Sequence, residues 1–240
     1  MKKVSLILSA VLITVMMLTS YGCIGSKEAS ASKEEAASKE EGASKEVTIG
    51  KQVWMKENLN VDKFRNGDPI PEAKTDEEWE KAGENGQPAW CYYNNNPDNG
   101  DRYGKLYNWF AVNDPRGLAP EGWKIPSDED WSRLTDFLYG GANVAGTKMK
   151  STDFWADNDG ESGNGTNESG FSGLPGGGRD YDGTFYYVVG KFGYWWSSSD
   201  YNTSDAWLRY LGYYNGSVGR LDYSKVYGLS VRCLRDYTKQ

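Results

Sequence analysis

The stretch GYWWSSSDYNTSDAWLRYL, Gly193 to Leu211, interleaves three tryptophans and three tyrosines with Ser, Asp, Asn, Thr and Arg. Rings of this kind stack on apolar faces while polar neighbours take up hydroxyl groups, so the pattern suits a binding platform for a sugar or a peptide. On that reading the candidate ligand-binding residues are Trp196, Tyr201, Trp207 and Arg209, with Asp200 and Asn202 as hydrogen-bonding groups. The same rings could equally pack a β-rich core. From Tyr181 to Tyr223 there are fourteen aromatics, including the doublets Tyr186-Tyr187, Trp195-Trp196 and Tyr213-Tyr214. Successive side chains of a strand point to opposite faces, so half of each doublet is expected to meet solvent or a loop. Spacing alone does not say which half.

The residues the chain lacks narrow its chemistry further. Histidine is absent throughout. A Ser-His-Asp or Cys-His nucleophile is therefore excluded, as is any His-ligated zinc, copper or iron site. Carboxylates are plentiful, so a glycosidase, which needs only two at the right separation, stays open as an alternative, although no spaced pair stands out. Asp157, Asn158, Asp159 and Glu161 could offer oxygens to calcium, but their spacing fails as an EF-hand loop and a solvated loop is the competing reading. No cofactor or resident metal is expected. Beyond Cys23 the chain holds Cys91 and Cys233, either a possible disulfide or two thiols.

Elements able to position these residues can be read from local signals. TDEEWEKAG, Thr75 to Gly83, carries a Thr-x-x-Glu capping box and predicts a short helix with Trp79 and Ala82 inward. SDEDWSRLTDFLY, Ser127 to Tyr139, predicts a second, capped by Ser127, with Trp131, Leu134 and Leu138 on one face and Gly140-Gly141 as its stop. Asp182-Gly183 and Asn215-Gly216 read as two-residue hairpin turns. In YGLSVRCLRD, Tyr227, Leu229, Val231 and Cys233 alternate with Ser230 and Arg232. The sum is an α+β domain, mostly antiparallel sheet with one or two short helices and long loops.

The N-terminal part has a different character. Lys2 and Lys3 precede an apolar run from Val4 to Leu18, an export-signal pattern too short for a comfortable membrane span. With Gly22 before Cys23, residues 1–22 resemble a bacterial lipoprotein signal peptide, which implies a lipidated Cys23; a plain secretory signal is the alternative. Residues 23–46 then form a tether of SKE hexads starting at Ser26, Ser32, Ser38 and Ser44. Six-residue periodicity sustains no apolar stripe, and such a coil spans about 25 Å on average and about 75 Å when straight. Residues 47–240 remain as one domain. The chain carries −7, and so does this domain, because leader and tether contribute +2 and −2. Nucleic acid and anionic headgroups are poor partners for it.

VWMKENL (Val53 to Leu59), YGKLYNW (Tyr103 to Trp109), GWKIPSDEDW (Gly122 to Trp131), LPGGGR (Leu174 to Arg179), WWSSS (Trp195 to Ser199) and GLSVRCLRD (Gly228 to Asp236) together resemble the Fibrobacter succinogenes major paralogous domain. The resemblance implies a C-type-lectin-like fold, and GLSVRC with WWSSS is also similar to formylglycine-generating domains. The Glu-Pro-Asn or Gln-Pro-Asp triplet of calcium-dependent lectins and the paired copper-binding cysteines are missing, and so are the further cysteines common in the family, at Gly100 and Ala119. The expectation is a lipid-anchored protein of a bacterial outer membrane or cell surface, touching membrane through its anchor only. Its domain would bind an extracellular glycan or a surface protein without catalysis; a carbohydrate-active hydrolase, or a structural or assembly protein without small ligand, are the alternatives.

Overall fold

The computed structural model describes residues 44–138, 144–185 and 187–236. The signal peptide, Cys23, all of the tether before Ser44, and Tyr139, Gly140, Gly141 and Tyr186 lie outside these. The compact unit that follows Ser44 is α+β, as the local signals require.

Strands β1 (Glu46–Ile49) and β2 (Gln52–Met55) form a tight antiparallel hairpin. Helix α1 (Asp76–Glu84) follows, capped as expected: Thr75 Oγ1 accepts from Glu78 N at 3.2 Å, and the Glu78 carboxylate accepts from Thr75 N at 3.2 Å. Strand β3 (Trp90–Cys91) pairs with β4 (Leu106–Tyr107), with α2 (Gly100–Tyr103) between them and α3 (Trp109–Val112) after. Strand β5 (Trp123–Lys124) leads into α4 (Asp128–Leu138), where Ser127 Oγ accepts from Asp130 N at 3.1 Å and Asp130 Oδ2 accepts from Ser127 N at 3.0 Å. Trp131, Leu134 and Leu138 are its buried stripe. Helix α5 (Ala145–Met149) precedes the long irregular stretch up to β6 (Phe192–Asp200), β7 (Asp205–Gly212), β8 (Val218–Ser224) and β9 (Leu234–Arg235).

Three sheets result among the described residues, in the orders β1-β2-β9-β5, β3-β4 and β6-β7-β8, all antiparallel. Asn215-Gly216 lies in the β7–β8 connection, but the hairpin does not close on the two-residue turn expected: Leu211 pairs with Val218, and residues 213–217 lie between the strands. Asp182-Gly183 also turns the chain, with Gly183 at φ +88°, but its arms make isolated bridges instead of strands. The final segment differs from the single strand its alternation predicts. Gly228, Leu229 and Ser230 each bridge a different partner, Arg179, Tyr107 and Trp195, before β9 begins. The alternation survives as two environments: Leu229, Val231 and Cys233 enter the main hydrophobic cluster, and Arg232 enters a polar pocket on the other side.

The β6-β7 pair carries a hydrophobic cluster on each face. Trp196 and Leu208 join Tyr107, Trp109, Leu229 and Val231 on one side; Trp195 and Leu211 join Trp54, Trp131, Phe171 and Leu234 on the other. Both members of the Trp195-Trp196 doublet are therefore buried, which corrects the expectation that one of them meets solvent. Cys91 and Cys233 are free thiols in different clusters, so the possible bridge between them is not formed. Burial pushes each thiol up to about 12, leaving both un-ionised and inert at neutral pH. No helix among the described residues is long and apolar enough to cross a membrane.

Candidate functional site

The six residues singled out from the sequence separate into two groups. Trp196 has 0% of its surface exposed and donates its indole N–H to Tyr107 O at 2.9 Å. Arg209 is 3% exposed; it donates to Asp128 Oδ1 at 2.7 Å and to Ser132 Oγ at 3.0 Å, fastening β7 to α4. Neither can meet a ligand. Asp200, Tyr201, Asn202 and Trp207 do come together, at the β6–β7 turn. Tyr201 meets Trp207 edge-on at 4.7 Å, and the Arg220 guanidinium covers the Trp207 ring at 3.3 Å. Asn202 Oδ1 accepts from Ser204 N and Asp205 N, while Asp200 pairs with Lys225. The Lys225 ammonium also donates to Asn202 O and Thr203 O. Those groups are spent on holding the turn.

The acidic loop is a tight turn too. Asn158 and Glu161 exchange backbone hydrogen bonds across Asp159 and Gly160, at φ +52° and +87°. Among the described residues no group of three His, Cys, Asp or Glu side chains is placed to hold a metal ion.

The motif residues converge elsewhere, on buried Asn58. Its Oδ1 accepts from Trp195 Nε1 at 2.8 Å and from Arg232 Nε and Nη2 at 3.1 and 2.8 Å. Its Nδ2 donates to Tyr103 O and Ser230 Oγ. Arg232 further donates to Met55 O and Phe171 O. Burial pulls Arg232 down to about 9, and it stays cationic at neutral pH without a carboxylate against it. Four of the six motifs thus supply one polar hub that ties β2, β6 and the final segment together.

An open aromatic surface lies further along β6, on the opposite face from the hub. Register puts Tyr194, Tyr210 and Gly219 on one cross-strand row, with Leu221 and Tyr223 further along β8 on the same face. Ring centroids step from Tyr214 to Phe192 (6.0 Å), Tyr194 (5.8 Å), Tyr223 (6.1 Å), Tyr227 (5.1 Å) and Tyr181 (6.1 Å). Tyr187 sits against Tyr194, Tyr223 and Tyr227. The middle rings are half-buried, with Tyr194 fully covered as their keystone, and the ends are open, Tyr181 at 56% and Tyr214 at 44%.

Glycine makes room for two of these rings. A Cβ on Gly219 would fall 1.8 Å from the Tyr210 ring, and one on Gly212 would fall 2.6 Å from the Tyr214 ring. Each ring is laid across a glycine of the sheet, an aromatic-over-glycine arrangement that keeps it low on the surface.

The hydroxyls of the strip lie close enough to act on one another: Tyr223 on Tyr187 and Tyr194, Tyr210 on Tyr214, and Tyr187 and Asp180 on Tyr227. Burial, followed by the neighbouring Asp180 carboxylate, pushes Tyr227 up to about 12, while the Tyr187 hydroxyl works against the shift. Tyr187 and Tyr194 are pushed up further, by burial first. All three stay neutral phenols, each able to donate once and accept twice. The sequence reading located this region but chose other residues. Part of the signal was available: the i, i+2 spacing of Phe192/Tyr194 and of Leu221/Tyr223 puts each pair on one face of its strand, while the register between the strands comes from the β6-β7-β8 pairing itself.

Fold and surface together define an α+β domain built on a buried polar hub, with a tyrosine strip on one sheet face. The Fibrobacter succinogenes major domain model matches residues 47–235, and the chain belongs to that family. No curated protein and no solved structure matches the chain.

Proposed function

We propose that the protein is a cell-surface lipoprotein whose domain, of C-type-lectin-like fold, binds an extracellular glycan on the tyrosine strip without catalysis. The observation that carries this reading is the unbroken run of rings from Tyr181 to Tyr214, partly open to solvent and edged by hydroxyl groups. A pyranose offers an apolar face and a polar rim, and neutral phenols on a largely apolar floor complement both. Leu221, exposed and on the same face of β8 as Tyr223, extends the apolar floor.

Electrostatics support a binding role over hydrolysis. A general acid needs a carboxyl held above its ordinary range. Every carboxylate shift that is resolved runs the other way: Asp114, Asp128, Asp130, Asp182 and Glu77 are all lowered. The anchor rests on the leader and on Cys23, with the SKE hexads as a leash that raises the domain's effective concentration at a surface. Two acyl chains on that cysteine would hold it stably, each buried methylene contributing about 0.8 kcal/mol.

A glycan array probed with the purified chain tests the binding reading. Retention that falls at least tenfold in Tyr223→Ala, with folding kept, supports it; absence of binding to every glycan removes it. For the anchor, Cys23→Ala should move the protein from the membrane fraction to the soluble one, and unchanged fractionation would contradict lipidation.

A further inference from the structure

The form of the strip says which part of a glycan it takes. We propose that it binds the interior of a linear, uncharged polysaccharide across several consecutive sugars, in preference to a chain end or a single residue; this rests on the glycan-binding reading above. Three observations carry the inference.

First, the rings form a contiguous run with both ends open, Tyr194 being its one covered step. Five consecutive centroid steps of 5.1 to 6.1 Å lead from Tyr214 to Tyr181, and the rings at its two ends are more exposed than those between. A site for a terminal sugar encloses it, whereas a line open at both ends lets the chain run on in both directions. Second, the middle of the line is electrically neutral. Phe192 has no polar atom, and Tyr187, Tyr194 and Tyr227 are held un-ionised. Asp180 stands by Tyr227 and Tyr187 towards the Tyr181 end, and Lys191 lies over the neighbouring Tyr213 at 5.5 Å towards the other. An anionic polymer would lay its carboxylates along neutral phenols, on a protein that itself carries −7. Third, the hydroxyls are spaced along the whole line through Tyr210, Tyr223 and Tyr227, so each sugar added to the ligand meets a further donor and acceptor.

Affinity electrophoresis of the purified chain against mixed-linkage glucan, xylan and galactomannan, with polygalacturonate as the anionic control, is the first test. Calorimetry with oligosaccharides of the retained polymer, from disaccharide to hexasaccharide, is the second. The expected result is retention by a neutral polymer and a tightening of about two- to tenfold per added sugar, the change that one further aromatic contact corresponds to. Tyr181→Ala and Tyr214→Ala, substitutions of exposed rings, should each weaken the hexasaccharide by a larger factor than the disaccharide.

Equal affinity for disaccharide and hexasaccharide, or retention by polygalacturonate alone, would overturn the inference and leave glycan binding standing. Array binding confined to terminal epitopes, with no polymer retained, would do the same. Failure to bind any glycan on array or gel would remove the glycan-binding reading itself.

Discussion

Asn58 and Tyr223 sit in two clusters that share strand β6 and are both rich in rings, yet they are built on opposite rules. Around Asn58 the groups are closed off: Trp195, Arg232, Ser230 and the carbonyl of Tyr103 consume its hydrogen-bonding capacity. Around Tyr223 the hydroxyls lie near one another, and most of the rings that carry them are half-open. A polar group buried with every partner in place specifies a structure, whereas one at a half-open surface keeps capacity for something that arrives later. The family motifs cluster at the closed site, so they report how the domain folds more than what it binds.

The comparison breaks most visibly at Asn58. Asn58→Ala removes the acceptor of Arg232 and leaves a buried cation under-satisfied, at a cost of about 3–5 kcal/mol. Thermal melting should show a large drop or no folded protein, with any surviving fraction still able to bind glycan. Gly219→Val comes next. Its side chain collides with the Tyr210 ring and lifts it, costing about 1–3 kcal/mol and weakening binding together with stability. Tyr223→Phe keeps the ring and deletes the hydroxyl, for about 1 kcal/mol of stability and a several-fold loss of affinity by calorimetry. Tyr201→Ala, at the exposed β6–β7 turn, should shift stability by less than about 0.5 kcal/mol and leave binding unchanged. A strong binding loss in that variant would move the site back to the turn.

Alkaline titration sharpens the same contrast. The Tyr227 phenol is raised from its ordinary value to about 12 in the folded protein. A raised pKa favours the proton-bound folded state. Its stabilising contribution is complete below the unfolded phenol value of about 10 and is lost as pH climbs from there towards about 12. Denaturant midpoints should be flat with respect to this group up to the lower limit and fall across the window, with phenolate absorbance rising late.

What was legible in the sequence was what neighbours in sequence decide. Both long helices announce themselves through Thr75/Glu78 and Ser127/Asp130, pairs three residues apart that meet whenever the helix forms. The β7–β8 hairpin was legible as a connection at Asn215-Gly216, but its register, Leu211 opposite Val218, is not the one a two-residue turn gives. Legibility failed where distant segments decide. Trp195 and Trp196 are both inside because α4 covers one face of β6 and Leu229 with Trp109 covers the other. Arg209 looked like a ligand-binding cation until Asp128, eighty-one positions away, took it. The strip was half-visible: its aromatic density stood out, but its membership depends on cross-strand register and on Gly212 and Gly219 making room, features that single-residue typing does not see.

Tyrosine footprinting measures the division of labour most directly, because it alters no residue beforehand and so leaves folding intact. The protein would be nitrated with and without the polysaccharide that retains it, and each tyrosine read by mass spectrometry. Protection at Tyr181, Tyr214, Tyr223 and Tyr227, with Tyr201 reacting as before, is the predicted result. Protection of Tyr201 with the strip unchanged would contradict the account.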